Sequence, residues 1–106
     1  VKRGEVWWVD LDPTRGSAIR RRRPAVIVTV DALNKARRTV VVVPLSSSAT
    51  ARPPLVVPLP SAGGDSLAVC DQLRAVDKSR LLSRAGELSA ADLKTLAGSL
   101  AVVLGL

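Results

Sequence analysis

Arg20 to Arg23 run unbroken into Pro24, and Ser46 to Ser48 follow Pro44 at the end of an apolar run. These are the residues whose types and spacing suit work on an anion. Guanidinium groups bind phosphate through a planar fork, and serine hydroxyls donate single hydrogen bonds to phosphate oxygens or base edges. Arg23 stands apart from the other three arginines because the following proline pushes its backbone to an extended conformation, so its side chain leaves from the edge of a strand. The plainer readings stand beside these: a basic run is usually a solvated loop, and three serines usually make a turn. Gln72, beside Asp71 in an apolar segment, carries an amide able to read a base edge or to satisfy a structural hydrogen bond. Arg15 and Ser17 occupy the turn Asp12-Pro13-Thr14-Arg15-Gly16-Ser17 that precedes the arginines.

Composition narrows the chemistry. The 106 residues carry sixteen Lys and Arg against nine Asp and Glu, a formal net charge of +7. A domain this basic meets nucleic acid, a membrane surface or an acidic protein. No apolar run approaches the roughly 18 residues needed to cross a bilayer, so a cytoplasmic protein with no membrane partner is expected. The chain has no histidine and one cysteine, Cys70. That excludes an intrachain disulfide, a cysteine metal cluster and a histidine-based triad, and leaves Cys70 as a small buried hydrophobe. Trp7 and Trp8 are the only aromatics, too few for a multi-aromatic RNA-binding sheet; on a strand they point opposite ways, so at least one belongs to the core.

The elements that must hold these groups are mostly strands, and residues 1–106 are expected to form one domain. Residues 5–11 alternate, Val6 and Trp8 to one side and Trp7, Val9 and Leu11 to the other, as in a strand covered on both faces. Residues 25–30 and 39–43 are β-branched runs joined by residues 31–38, which predicts two buried strands. Residues 55–59 and 67–76 predict two more, with Pro53, Pro54 and Pro58 placing the first at an edge. Residues 80–84 suggest a short helical turn. Ser89 with Asp92 three residues later resembles a capping box, and Leu93, Leu96, Ala97, Leu100, Val103 and Leu104 recur at helical spacing. The fold expected is mainly β with α: a small, strongly bent antiparallel sheet or open barrel with a C-terminal helix.

The order of motifs is more specific than any one of them. Gly4-Glu5-Val6-Trp7-Trp8-Val9-Asp10, the turn at 12–17, Arg23-Pro24-Ala25-Val26-Ile27-Val28, Val43-Pro44 and Asp71-Gln72-Leu73-Arg74 together resemble the MazF/PemK family of toxin–antitoxin endoribonucleases. The likeness covers nearly the whole chain. It implies a homodimer of SH3-like barrels, cleavage of single-stranded RNA at a short sequence without metal or cofactor, and neutralisation by an acidic, MazE-like antitoxin. The family's functional arginine falls on Arg23, and its hydroxyl partner, commonly threonine, falls on Ser46. In the turn after Ser17 many members carry glutamate where this chain has Ala18, so any acid or base role of that carboxylate is missing.

The resemblance assigns Arg23 and Ser46 to catalysis. Arg15, Ser17, Arg20, Arg21, Arg22, Ser47, Ser48 and Gln72 are then expected to bind RNA around them. Two other readings remain. One is a family member that binds RNA without cleaving it, which Ala18 and Ser46 favour. The other is a protein-directed toxin resembling the gyrase-poisoning family, which acts through a C-terminal tryptophan; this chain ends Leu104-Gly105-Leu106.

Overall fold

A computed structural model describes residues 1–11 and 22–106. The strands are β1 (Glu5–Asp10), β2 (Arg22–Ile27), β3 (Thr39–Ser46), β4 (Val56–Pro58), β5 (Leu67–Val69), β6 (Arg74–Asp77) and β7 (Leu81–Glu87). A short helix α1 (Asp31–Ala36) joins β2 to β3, and α2 (Ala90–Leu104) follows β7. All pairings are antiparallel; the order is β4-β5-β3-β2-β1-β7, with β6 also pairing β3, and the sheet stays open. The fold class expected from the sequence is therefore the one observed.

Several boundaries differ from expectation, β3 running to Ser46 rather than Val43 and α1 occupying the expected connection among them, and three have a tertiary reason. Arg22 and Arg23 are not in the connection but in β2, which starts at Arg22 and ends at Ile27, because β1 pairs as far as Asp10 with Arg22. Residues 67–76 are not one strand. A 3₁₀ turn over Cys70–Gln72 breaks them into β5 and β6, both of which pair β3. The helical turn lies at Lys78–Arg80, and residues 81–84 continue into β7 instead, where they pair β1.

β3 changes partner along its length. It pairs β6 over Thr39–Val42 and β5 over Leu45–Ser46. Pro44 lies between these two partners, where its missing N–H breaks no ladder. Pro58 sits in β4 at the sheet's edge, as its residue type requires.

The sheet buries both faces. Val6, Val26, Val43, Leu45, Leu59, Ala68 and Cys70 pack with Leu96 of α2, which also lays Leu93, Leu100 and Val103 on them. On the other face Val9, Leu11, Ala25, Ile27, Val40, Val42 and Val76 form a second cluster flanked by Trp7 and Leu81. Ser89 caps α2, its Oγ accepting from the Asp92 N–H at 3.1 Å. Gly105 ends the helix in the left-handed region at φ 71°, as glycine can without strain. Among the described residues no helix is long and apolar enough to cross a membrane.

Candidate functional site

Arg23 sits where three adjoining depressions meet. The first, about 340 Å³, is bounded by Trp8, Arg22, Arg23, Pro24 and Ser46 to Ser48, with Ser66 on its rim. The second, about 400 Å³, lies between Arg23, Ser46, Ser48 and Gln72. The third, about 290 Å³, adds Arg74 and Leu11 to Arg23 and Gln72. The start of β2, the end of β3 and the Cys70–Gln72 turn thus converge, although Arg23 and Gln72 lie 49 positions apart in sequence.

The β1–β2 ladder sets the position of Arg23. Trp8 pairs with Pro24 and Val9 with Arg23, so the arginine leaves a hydrogen-bonded strand rather than a loop. Such a base restricts the side chain before any ligand arrives, which lowers the ordering cost of a bidentate contact. Arg22, one residue earlier, is likewise exposed.

Ser46 closes β3, and its Oγ accepts from the backbone N–H groups of Ser48 and Ala49, both at 3.2 Å. This is a local serine turn. The turn uses the oxygen as an acceptor, which leaves the hydroxyl hydrogen to donate; the Ser48 Oγ, 3.4 Å away, is a distant recipient. The turn and binding readings of the three serines are therefore compatible. Ser47 and Ser48 are exposed on the same rim.

Gln72 is exposed in the 3₁₀ turn rather than inside a strand, and its amide borders two of the depressions beside Arg23. Asp71 does not line them. No described lining residue of the three depressions is Asp or Glu, while Arg22, Arg23 and Arg74 all are. Three guanidiniums with no carboxylate on these walls make an electropositive cleft, and hydroxyl and amide groups add uncharged hydrogen bonds. Such a set suits a polyanion with polar side groups.

Arg15, Ser17, Arg20 and Arg21, together with Ala18, lie outside the described residues. Trp8, Ser66 and Arg74 also line the site, beyond the residues expected there. For Trp8 the signal was present in the strand alternation; for Ser66 nothing local marks it. Arg74 reaches back to the end of β1, its Nη1 donating to the Leu11 carbonyl at 3.4 Å.

The remaining notable polar group is structural. Glu5 is buried at the start of β1 and its Oε1 accepts from the Lys2 N–H at 2.8 Å and the Trp7 indole at 3.2 Å. Burial by itself raises its pKa; the hydrogen bonds from Lys2, Trp7 and Arg84, with the Arg84 charge, outweigh that and hold it below the usual carboxylate range.

Comparison with known proteins extends this picture. Residues 2–104 match the family model described as "PemK-like, MazF-like toxin of type II toxin-antitoxin system". Endoribonuclease MazF9 of Mycobacterium tuberculosis is 37% identical over 115 aligned positions, covering 100% of this chain and 98% of that protein. Endoribonuclease PemK of Escherichia coli is 42% identical over 81 positions, covering 73% of this chain and 61% of that one. Among solved structures, a MazE–MazF crystal form from Deinococcus radiodurans superposes with a TM-score of 0.84 at 28% identity, over 100% of this chain and 96% of that chain.

Proposed function

Because this chain belongs to the PemK-like, MazF-like toxin family of type II toxin–antitoxin systems, we propose that residues 1–106 act as one endoribonuclease domain that cuts single-stranded RNA at a short sequence. The observation that carries this reading is the convergence of Arg23, Ser46 and Gln72 on one cleft whose described walls carry arginine but no carboxylate.

RNA supplies its own nucleophile. The 2′-OH beside the scissile phosphate attacks phosphorus in line as its proton leaves, the bond to the 5′-oxygen breaks, and that oxygen takes a proton. The products are a 2′,3′-cyclic phosphate and a 5′-OH end, and no metal is required. Negative charge builds on the non-bridging oxygens, where Arg23 places two N–H donors and Ser46 a third. One preorganised donor of this kind contributes about 3 to 4 kcal/mol to the transition state. A guanidinium stays protonated in proteins, so Arg23 acts by stabilising charge on the phosphate and does not serve as the base. Arg22, Ser47, Ser48 and Gln72 hold flanking phosphates and bases, joined by Arg15, Ser17, Arg20 and Arg21.

An acidic antitoxin would inhibit by occupying the same basic cleft, with charge complementarity speeding its association. The MazE–MazF complex of a similar fold supports such a partner, and we read the working unit as a cytoplasmic homodimer. The test is incubation of the protein with a long mixed-sequence RNA in EDTA, with cut ends mapped beside an Arg23→Ala control. Discrete cuts bearing 5′-OH ends, absent from the control, support the reading. Intact RNA that nevertheless binds the protein would make it a binding-only member, and Ala18→Glu would then tell whether a missing carboxylate is the cause.

A further inference from the structure

The two adjacent tryptophans have different fates, and only one is explained by the fold. Trp7 flanks the second core cluster and its indole N–H donates to Glu5. Trp8 is 43% exposed on a strand whose Val6 and Val9 are buried, at 2% and 0%. It belongs to neither core cluster, and among the described residues its indole N–H has no hydrogen-bond partner. An exposed apolar side chain alone needs no explanation. Trp8, however, forms one wall of the depression that also holds Arg22, Arg23 and Ser46, and the β1–β2 register sets it directly opposite Pro24, the residue after Arg23.

Resting on the ribonuclease reading above, the geometry points to Trp8 as the stacking platform for one nucleobase of the bound RNA, next to the phosphate gripped by Arg23. An indole face offers a base a large rigid surface at low entropic cost, and such stacking tolerates any base because every base has a π-face. The pairing with Pro24 ties the aromatic wall to the strand that carries the guanidinium, so base and phosphate are located by one rigid ladder. Trp8 is thus a positioning residue: it seats the nucleotide and takes no part in proton transfer. Among the described residues nothing occupies its indole N–H, which can hydrogen-bond the ligand.

The experiment measures binding of a short, mixed-sequence 2′-O-methyl oligoribonucleotide, which lacks the nucleophile and cannot be cut, to the wild type, Trp8→Phe and Trp8→Leu. Far-UV circular dichroism checks the fold of each. Leucine keeps apolar bulk and loses the stacking face; phenylalanine keeps a face. The expected result is a loss of affinity of about tenfold or more in Trp8→Leu, with Trp8→Phe within about threefold of wild type. Abasic substitution along the oligonucleotide should find one position whose removal weakens wild type and leaves Trp8→Leu unchanged. With cleavable RNA, KM rises in Trp8→Leu while kcat stays within a few-fold.

Equal RNA affinity in Trp8→Leu and wild type overturns the stacking role and leaves the ribonuclease reading standing. A loss confined to an acidic antitoxin peptide, with RNA binding intact, overturns it in favour of a protein contact. Failure of the wild type to bind RNA overturns both. If Trp8→Leu does not fold, tryptophan fluorescence decides: quenching by the oligonucleotide in wild type that is lost in Trp8→Phe, which retains only Trp7, supports stacking, and equal quenching in both proteins or none in either overturns it.

Discussion

Arg84 donates through Nε to Glu5 Oε2 at 2.8 Å, joining the middle of β7 to the buried start of β1. The carboxylate also accepts from Lys2 and Trp7, so a single charged group organises the chain's entry into the sheet, the last strand and the inner tryptophan. Glutamine in its place keeps one acceptor oxygen and loses the charge, so at least one of the three donors loses its partner at this buried position.

Glu5 therefore links stability to acid. Its folded pKa lies below the ordinary carboxylate value, so the unfolded chain takes up the proton first as pH falls. The stabilisation is complete above the ordinary carboxylate range and is lost as pH drops through the folded value. Glu5→Gln should cost about 1 to 2 kcal/mol near neutral pH. Urea denaturation should show the gap between the two proteins narrowing below about pH 4; a gap of constant width would contradict the assignment.

Arg23→Ala should lower kcat by about 10² to 10³-fold or more with the urea midpoint unchanged, because the side chain is exposed at a strand edge and its loss leaves no cavity. Arg23→Lys should be impaired as well, since an ammonium keeps the charge and loses the fork. Single-turnover cleavage assays separate the chemical step from binding; full activity in Arg23→Ala would remove Arg23 from the mechanism, and full activity in Arg23→Lys would show that charge suffices without the fork.

Ser46 has two expected effects, and they are separable. Ser46→Ala removes the acceptor of two backbone N–H groups, which should cost about 1 kcal/mol of stability, and also the donor to phosphate. Ser46→Thr keeps both and should restore both. Ser47→Ala, at an exposed position that closes no turn, should change stability by less than about 0.5 kcal/mol. Thermal melts and cleavage rates on the three variants test this together.

Salt should weaken RNA binding steeply. Arg22→Ala and Arg74→Ala should each flatten the plot of log affinity against log salt by about 0.7, the contribution of one phosphate contact on a single strand. Replacing the ribose at the cut site by deoxyribose should block cleavage and leave binding nearly intact. Cutting at that deoxynucleotide would require a different nucleophile from the 2′-OH.

The N-terminus of α2 shows how far a local motif can be read. Ser89 and Asp92 stand at capping-box spacing, and the forward half of the box forms as expected. The return half does not. The Asp92 carboxylate turns to the N–H of Ser61 at 2.8 Å and to its hydroxyl, and the Ser61 Oγ accepts the Ser89 N–H at 3.0 Å instead. Ser61 lies 31 residues from Asp92, so no window of sequence contains the partner. The same limit hid the break between β5 and β6. Residues 67–76 hold a nearly continuous apolar pattern, and only the change of β3's partner across Pro44 calls for a turn in the middle of it.

What the chain by itself determined were the properties that act over a few residues. β-branched runs made the strands, alternation sent Trp7 and Trp8 opposite ways, Pro24 extended the backbone at Arg23, and the closing helix was visible in its period and its cap. Tertiary structure decided which of these surfaces stay open. Helix α2 covers Val6 and leaves Trp8 outside the core. The fold brings the Arg23 strand, the Ser46 turn and the Gln72 turn around one cleft. Burial and convergence are set by contacts between residues far apart in the chain, and a local pattern of residue types carries no record of which distant face will arrive to cover it.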